Sequence, residues 1–452
     1  MTRVRLLGLP LVLLSAGFSI WWGFSLARFV AGGPLDFQGL YYGAQCLLQH
    51  HNPYNVSELE TVYRADGGEH PTDPIQRRQT VTLYVNLPHT FFFTAPFTMF
   101  SLRTAQVLWL ILTGSAFTLS GFLIWDLAAR DAPILTGCLL FILLANSELF
   151  FLTGNSAGIV VSLCVVAAWC FLRDRFVTAG ILCMAISLAI KPHDAGFVWL
   201  YFLLAGGVHR KRALQVLGVD VVLGLSGLLW VFLVAPHWMQ GWRANMATLS
   251  LPGGLNNAGL PAVSFNIMGG VISLQTVFAV FRDDPRIYNP LTWLVCGAML
   301  AVWSVRTLRT SFSRAGALLA LAAIAPITML VTYHRAYDAK LLLLTIPACA
   351  MLWARGGATR WIALALNTLG IWLTADFPLA IIMTMVRDMH ISTATFSGRL
   401  LTIVLMRPAP LILLAMSIFY LRVYMRPAIR GICVESGKGI AAQYDSRIAQ
   451  CS

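Results

Sequence analysis

The sequence predicts an all-α polytopic membrane protein. Of its 452 residues, 58% are hydrophobic and only 11% are charged, whereas soluble globular chains carry about 25% charged residues. Apolar runs recur along the whole chain, and about 20 apolar residues are enough to cross a bilayer as a helix. So few charges could not cover a water-facing surface, which excludes a soluble globule. The high hydrophobicity also excludes a disordered chain.

The first span is expected at the N-terminus. Arg3 and Arg5 precede an apolar stretch that runs from Leu6 to about Val30. The stretch is too long for the core of a signal peptide, and no small-residue cleavage site follows it. Basic residues flank the cytoplasmic ends of spans. We therefore expect a retained span whose N-terminus lies in the cytoplasm.

Further apolar spans follow, and the basic clusters between them can all be placed on one side. That side is taken as the cytoplasm, because basic residues are the main topology signal. The expected ranges are 104–125, 132–152, 156–172, 213–235, 291–305, 315–332, 339–354, 361–375 and 400–423.

One segment, residues 176–208, lies between two basic clusters and must cross an even number of times. The sequence Lys191-Pro192-His193-Asp194 interrupts it, which predicts two short helices that meet near the outer face. Such broken helices are tolerated where protein or a water-filled cavity satisfies the freed backbone. One long tilted helix is the alternative, and it would break the charge alternation. The hairpin brings the total to about twelve crossings, with both termini inside.

We expect a single membrane domain over residues 1–430 and a cytoplasmic tail over residues 431–452. Two outer loops, residues 31–90 and 236–290, are long. Loops of such length in a compact protein are usually functional or disordered, and their composition is not low-complexity. We expect them to form the roof of an active site and to contain interfacial helices, including an amphipathic one around Tyr41.

Polar side chains concentrate on the outer side of this topology. Eight of the nine histidines fall there, whereas the inner side carries mostly arginine. The formal charge of +13 is thus explained by basic residues that set the topology. No basic stripe with interleaved aromatic residues suggests a nucleic-acid partner. An outer face rich in His, Asp, Asn and Tyr predicts a binding or active site at the outer membrane boundary.

Asp36 is the first candidate for chemistry, because it follows the first span almost directly. A carboxylate at the membrane edge, beside aromatic residues, can have a raised pKa through desolvation. A raised pKa suits a general base. The alternative is that Asp36 caps the N-terminus of the following helix.

Two later segments offer cations for a phosphate. Lys191 is one of only four lysines, and its ammonium is a compact point charge suited to phosphate; the alternative is a snorkelling side chain. In the second segment, residues 333–338, Arg335 could bind phosphate and His334 could supply a hydrogen bond. A plain polar turn is the alternative there.

No motif indicates a nucleotide, a metal or another cofactor. The sequence contains no P-loop, no HExxH and no Cys-x-x-Cys pair. Asp283-Asp284 is the nearest approach to a metal-binding acid pair. Glu148 is a functional suspect, because acids inside apolar spans usually have a role. We expect neither a cofactor nor a metal ion.

Five segments carry a family resemblance. They are Asp36-Phe37 with Tyr41-Tyr42-x-Ala44 and Asn52-Pro53-Tyr54, Asn86-Leu87-Pro88 before Phe91, Gly154-Asn155-Ser156, Ala179-Gly180 through Lys191-Pro192, and Tyr333-His334 through Leu343. In order and spacing the segments resemble glycosyltransferase family 87, whose members are GT-C transferases that use polyprenyl-phosphate sugars. The likeness covers about residues 1–350. Asn86 and Leu87 stand where Tyr and Pro are usual, and Asn155 stands where Gln is common.

The resemblance implies a GT-C-like bundle in a bacterial plasma membrane, with its active site on the outer face. It implies an inverting transfer of a monosaccharide, mannose as the first guess, from a polyprenyl-phosphate donor to a lipid or glycan hydroxyl. Asp36 would be the catalytic base. The donor phosphate would be bound by Lys191, His193, Arg335 and His334. The substrate would be lined by Tyr41, Tyr42, Asn52, Tyr54, Asn86, His89, Asn155 and Asp338.

Two other functions remain open from the sequence. One is a flippase or transporter of lipid-linked sugars, and the other is a periplasmic ligase or polymerase of lipid-linked glycans. A transporter should need acids deep in several spans, whereas the acids here cluster at the outer edge. A ligase would favour a pyrophosphate donor and more basic residues in the outer loops.

Overall fold

The structure is a computed structural model that describes residues 8–29, 33–68, 74–252, 254–259, 270–376, 378, 381, 385 and 393–426. Every regular element in these ranges is helical, and the one β contact among them is an isolated antiparallel bridge between Val271 and Arg335. The expected cytoplasmic tail, residues 431–452, lies outside the described residues, as do Arg3 and Arg5.

The α-helices are numbered here in chain order. They are α1 (Leu9–Phe29), α2 (Leu35–Leu48), α3 (Val56–Ala65), α4 (Pro74–Val81), α5 (Phe91–Thr94), α6 (Leu102–Ala128), α7 (Pro133–Leu144), α8 (Leu149–Thr153), α9 (Ala157–Arg173), α10 (Val177–Ile190), α11 (Pro192–Leu204), α12 (Gly207–Val234), α13 (Trp238–Ser250), α14 (Gln275–Phe281), α15 (Pro285–Arg309), α16 (Arg314–Val331), α17 (Ile346–Arg355), α18 (Ala358–Leu373), α19 (Phe396–Met406) and α20 (Pro408–Met425). Short 3-10 helices cover Pro88–Thr90, Ala95–Met99 and Asp338–Thr345.

Six helical stretches are long and apolar enough to cross a membrane by length and composition. They are α6, α7 together with α8, α12, α15, α16 and α20. In α12 the side chains of Leu225, Leu229 and Phe232 are all more than half exposed, and a large exposed apolar face of this kind is suited to lipid rather than water. The described chain is thus the all-α, membrane-type protein that was predicted. The number of crossings, about twelve, stays a prediction.

The predicted interruption at Lys191 is present. The helices α10 and α11 are 14 and 13 residues long, and Lys191 alone links them. Pro192 begins α11, where a proline ring has the right φ and its missing N–H costs nothing. The same missing N–H prevents α10 from continuing.

The two helices form a hairpin, as predicted. Arg212, near the start of α12, donates to the Phe171 carbonyl at 3.3 Å and pairs with Asp174. The helix α10 begins just after Asp174, and α11 ends just before α12. Both far ends of the pair therefore lie beside this contact, and Lys191 lies at the tip. One long tilted helix is excluded.

Basic residues gather at the end of the bundle away from that tip. Arg173 pairs with Asp126 at 2.7 Å, and Arg314 donates to the Leu127 carbonyl at 2.8 Å. Together with Arg212 these residues define what we call the arginine end. The clustering agrees with the charge alternation from which the topology was predicted.

Two expected spans are interrupted. Residues 132–152 divide into α7 and α8 around Asn146 and Ser147, whose side chains donate to carbonyls of the preceding turn at 2.8 and 2.5 Å. Residues 400–423 divide into α19 and α20 at Pro408, which cannot continue a helix from the preceding residue. Both departures are breaks inside apolar runs, where hydrophobicity alone predicts continuity.

The two long loops pack together over the hairpin tip. The helix predicted around Tyr41 exists as α2, but eleven of its 14 residues are buried, so the prediction of an amphipathic interfacial helix was wrong. Asn245, in the second loop, donates to the carbonyls of Tyr54 and Tyr84 at 3.2 and 3.0 Å. These bonds join the second loop to the first, and a role of the two loops as an active-site roof stays a prediction.

Candidate functional site

Asp36 lies in the first turn of α2, and its side chain bonds outside the helix. The Nδ2 of Asn155 donates to Asp36 Oδ2 at 2.7 Å. The N-cap of α2 is Pro34, so the alternative that Asp36 caps the helix was wrong. Burial raises the pKa of Asp36, and the Asn155 hydrogen bond and the charges of Arg335 and Lys191 offset this only in part. The result is a carboxyl with a pKa above its usual range.

Asn155 is positioned by a tight turn between α8 and α9. Gly154 has a φ of +66°, and a Cβ at that position would lie 2.7 Å from the Cβ of Phe37. Only glycine allows both this backbone and this close approach to α2. The Gly154 carbonyl accepts from the Trp109 indole at 2.9 Å, and Asn155 Oδ1 accepts from the Ala157 amide at 2.9 Å. The Asn155 amide is therefore held at both of its polar atoms.

Lys191 places its ammonium in the interior at the hairpin tip. Its Nζ lies 2.8 Å from Asp338 Oδ1, 3.2 Å from Asn155 Oδ1 and 3.6 Å from Asp194 Oδ2. The ring of Tyr337 has its centroid 5.0 Å from the same atom. A snorkelling lysine would reach for water, so that alternative was wrong. The hydrogen bonds run without interruption from Asp36 through Asn155 and Lys191 to Asp338.

The third predicted segment is a buried turn organised by Asp338. Asp338 Oδ2 accepts from the backbone amide of Arg335 at 2.8 Å. The Arg335 guanidinium donates to the carbonyl of Leu255, in the second loop, and lies 5.7 Å from the Tyr333 ring. The amide of Ile272 donates to the His334 carbonyl at 2.8 Å. The roof thus closes directly on this segment, which is not a plain polar turn.

Two histidines face a third carboxylate, Asp194. His334 Nε2 lies 3.1 Å from Asp194 Oδ1, and His193 Nε2 lies 3.9 Å from the same oxygen. The two imidazole rings meet edge to face with centroids 5.1 Å apart. The sequence analysis assigned no role to Asp194, although its place beside His193 in the interrupting motif was a usable signal.

We call these residues the polar network: Asp36, Asn155, Lys191, His193, Asp194, His334, Arg335 and Asp338. Among the described residues, Asp36 is the one network carboxylate with no ion-pair partner within 4.0 Å. Its nearest polar partner is an uncharged amide. The network therefore holds a carboxylate without an ion-pair partner, separated from a fully paired ammonium by the side chain of Asn155.

An apolar cleft of about 490 Å³ opens beside the hairpin. Its walls come from α10, α11, α12 and α16, with Leu188, Trp199 and Leu217 among the apolar residues. His193 and Thr332 contribute polar groups where the cleft meets the network. The cleft is thus mostly apolar, with polar groups at His193 and Thr332 and one acid, Asp220, on the α12 wall.

Five predicted lining residues take part in four hydrogen bonds within the first loop and the turn that follows it. The bonds are Tyr41 to the Phe100 carbonyl at 2.9 Å, Tyr42 to Asp66 at 2.9 Å, the Tyr54 amide to Asn52 at 3.0 Å, and the Tyr54 hydroxyl to the Asn86 carbonyl at 2.8 Å. These contacts fix the loop that carries Asp36. Substrate contact by these residues stays a prediction.

His89 lies close to α12 and to the end of α10. A Cβ on Gly227 of α12 would lie 2.6 Å from the His89 Cα, so the two backbones are in close contact. Burial lowers the pKa of His89, while the Ala189 carbonyl acts in the opposite direction. His89 is therefore a part-buried imidazole near the end of α10, with a pKa below its usual value.

The acids at Glu148 and in the second loop lie outside the polar network. Lys340 Nζ lies 3.1 Å from Asp376 Oδ1, and Asp376 accepts from the Leu149 amide at 2.7 Å, which makes a second buried ionic cluster next to Glu148. Asp284 accepts from the Arg286 amide at 2.9 Å and caps α15. The cap gives Asp284 a structural role.

Comparison with known proteins gives no relative. No family model matches the chain, and neither a curated protein nor a solved structure is significantly similar to it. The function must therefore be argued from the polar network, the roof above it and the cleft beside it.

Proposed function

We propose that the protein is an inverting membrane glycosyltransferase that uses a polyprenyl-phosphate sugar. The observation that carries this proposal is the pairing of Asp36 with Lys191 through the single amide of Asn155, at the end of the bundle away from the arginine end. Transfer from a lipid phosphate needs one base for the acceptor and one cation for the leaving group. The network contains both.

Asp36 takes the role of general base. Its carboxylate accepts the proton of the acceptor hydroxyl while the acceptor oxygen forms a bond to the anomeric carbon. The bond from that carbon to the phosphate oxygen breaks, and its electron pair leaves with the polyprenyl phosphate. A single displacement inverts the anomeric centre. A raised pKa makes the Asp36 carboxylate a better proton acceptor than an exposed aspartate.

Lys191 and Arg335 stabilise the departing phosphate. Preorganised cations aimed at a developing negative charge are usually a large catalytic contribution. His193 and His334 were also predicted to bind the phosphate, but both imidazoles face Asp194. We therefore assign phosphate binding to Lys191 and Arg335. Because a lipid phosphate is already a good leaving group, the reaction needs no second carboxylic acid. A glycosidase would need two carboxylates placed across one glycosidic bond.

The apolar cleft supports a lipid donor over a water-soluble one. Its mostly apolar walls suit a hydrocarbon chain, and its polar residue His193 belongs to the network. A donor with its chain in the cleft would present its phosphate toward the network. Mannose is the first guess for the sugar, and the outer face of a bacterial plasma membrane is the proposed location.

The test is sugar transfer by the Asp36→Asn variant in proteoliposomes that contain labelled polyprenyl-phosphate mannose and a panel of acceptors. We expect transfer to fall by at least 100-fold, because general-base catalysis contributes about 10²–10⁴-fold. Donor binding should be retained. Asp66→Asn is the matched control, since that carboxylate lies in the same loop and its hydrogen bond among the described residues is to Tyr42. Full transfer by Asp36→Asn would remove the base assignment.

A flippase gives a different outcome in the same vesicles. It would move the labelled lipid between leaflets without forming a glycosidic bond, and it has no need of a base at Asp36. Leaflet movement without transfer in the wild type would therefore favour the transport alternative.

A further inference from the structure

We propose that His193, Asp194 and His334 form a binding site for a divalent transition-metal ion, with Zn²⁺ as the best fit. The three side chains offer one ligand atom each, and these atoms all lie within 4.8 Å of one another. Two imidazoles and one carboxylate are a ligand set that zinc uses in catalytic sites. The sequence analysis expected no metal, because two adjacent ligands and a third one far along the chain make no recognisable motif.

The distances suit a metal centre. Zinc binds imidazole nitrogen and carboxylate oxygen at about 2.0–2.2 Å, so neighbouring ligands around a tetrahedral ion lie roughly 3.3–3.6 Å apart. Here Asp194 Oδ1 lies 3.1 Å from His334 Nε2 and 3.9 Å from His193 Nε2. The two imidazole nitrogens lie within 4.8 Å of each other, so a side-chain movement that closes the two rings on Asp194 would place an ion between the three atoms.

The His334 ring is already oriented as a ligand. Its Nδ1 lies 3.1 Å from the Thr332 carbonyl, and a proton on Nδ1 leaves the lone pair of Nε2 free. Metal-bound histidines usually donate their other nitrogen in this way. His334 is fully buried, and its Nε2 has no well-aligned hydrogen bond; the same is true of His193 Nε2 and Asp194 Oδ2. Among the described residues these atoms meet one another and Lys191 by ionic contact only, and buried polar atoms that lack well-formed hydrogen bonds are costly.

The charge of the network also favours a cation. The network has three carboxylates, Asp36, Asp194 and Asp338, against two cations, Lys191 and Arg335. Neutral imidazoles would leave one negative charge in a buried site, which is unfavourable. Protonation of His334 is the other way to compensate that charge, and an imidazolium cannot bind a metal through the same nitrogen.

The ligand types select the metal. Mg²⁺ and Ca²⁺ prefer oxygen ligands throughout, whereas imidazole suits zinc and its neighbours in the first transition series. Three protein ligands leave a fourth position open, and His193 also lines the apolar cleft. The donor phosphate would be the natural fourth ligand, and this last assignment alone rests on the proposed function.

The experiment uses the full-length protein, purified without a histidine tag and stripped with a chelator. Zn²⁺ alone is titrated against a chromophoric competitor, and Co²⁺ absorption reports the coordination geometry. We expect one ion per chain in the wild type. His334→Gln and His193→Ala should each weaken binding by about 100-fold or more, since even the loss of an outer-shell partner costs roughly 10–100-fold.

His237→Ala is the matched control, because His237 is an exposed histidine in the roof, and its loss should leave the stoichiometry unchanged. Thermal unfolding of each variant shows whether it folds. The stoichiometry of the wild-type protein tests the site even if a variant does not fold. Failure of the wild type to bind Zn²⁺ or Co²⁺ at one ion per chain would overturn the site, as would equal weakening by His237→Ala. The Zn²⁺ titration contains no sugar donor, so its result does not depend on sugar transfer. Failure of the metal site can therefore be distinguished from failure of the proposed function.

Discussion

At the scale of single residues, Asp36 determines how the proposed activity should depend on pH. The base works only when it is ionised, so the rate should rise with pH and level off above the pKa of Asp36. Burial raises that pKa above the usual 3.8, so the acid limb of the profile should have its midpoint above 3.8. Transfer rates measured across the acid range in proteoliposomes test this. A midpoint at or below the usual value would contradict a buried base.

The same carboxyl should reduce the stability of the fold at neutral pH. Because the folded-state pKa of Asp36 is raised, the protonated carboxyl favours the folded state. That stabilisation is present below the unfolded-state pKa and is lost as pH rises through the folded-state value. We therefore expect Asp36→Asn to have a higher Tm than the wild type at pH 7 and a similar Tm near pH 4. A lower Tm at pH 7 would contradict the desolvation argument.

Lys191 should be essential for stability as well as for donor binding. Lys191→Met leaves the buried carboxylates of Asp338 and Asp194 without their cation, and breaking a buried ion pair costs about 3–5 kcal/mol. Equilibrium unfolding in mixed micelles measures this loss. The double variant Lys191→Met/Asp338→Asn should regain part of the stability, because one stranded charge is gone. Donor binding should stay weak in both. Equal stability of Lys191→Met and wild type would disprove the buried pairing.

At the scale of elements, the turn between α8 and α9 sets the position of Asn155. Gly154→Ala introduces a Cβ 2.7 Å from the Cβ of Phe37 at a φ of +66°, which should cost about 1–3 kcal/mol of strain. It should also displace α2 and lower transfer. Gly218→Ala in α12 is the control, because its Cβ meets nothing within 4 Å. Normal stability and activity of Gly154→Ala would show that the turn does not position the base.

The sequence was informative about elements where a local signal existed. Pro192 and the charge alternation predict the hairpin because both act on the chain nearby. The break before α8 was not predicted, since Asn146 and Ser147 are common side chains whose bonds to the helix backbone form no recognisable pattern. The burial of α2 was missed for a different reason: Phe37 packs against Trp109 of α6, and the turn at Gly154 closes on Phe37. Contacts between segments far apart in sequence leave no local trace.

The residues of the site were likewise predictable where a local signal existed and not where they depend on contacts distant in sequence. Asp36, Lys191 and Arg335 were singled out as scarce charges next to expected spans, and the structure brings them into one network. Asp194 was passed over, because its importance comes from His334, 140 residues later in the chain. Tertiary contacts of this kind depend on how α11 and α16 pack, which no single segment encodes.

At the scale of the whole molecule, the arginine end and the hairpin tip should lie on opposite sides of the membrane. Asp174 is largely exposed at the arginine end, and His193 is partly exposed at the tip. With the nine native cysteines replaced by serine, we expect Asp174→Cys to react only from the cytoplasm and His193→Cys only from outside. Labelling of both from one side would contradict the membrane-spanning hairpin, and reversed labelling would contradict the charge-based orientation.

The hairpin carries one further consequence, which is mechanical. Lys191 is the sole residue between two rigid rods of 14 and 13 residues, and it is also the residue that supplies the ammonium to Asn155 and Asp338. A change in its backbone torsions would reorient the rods and displace the charge in one movement. A ligand that displaces Nζ would therefore shift α10 and α11. A change in the angle between these helices would likewise displace Nζ. Lys191 is therefore both the hinge residue between α10 and α11 and the residue that carries the positive charge.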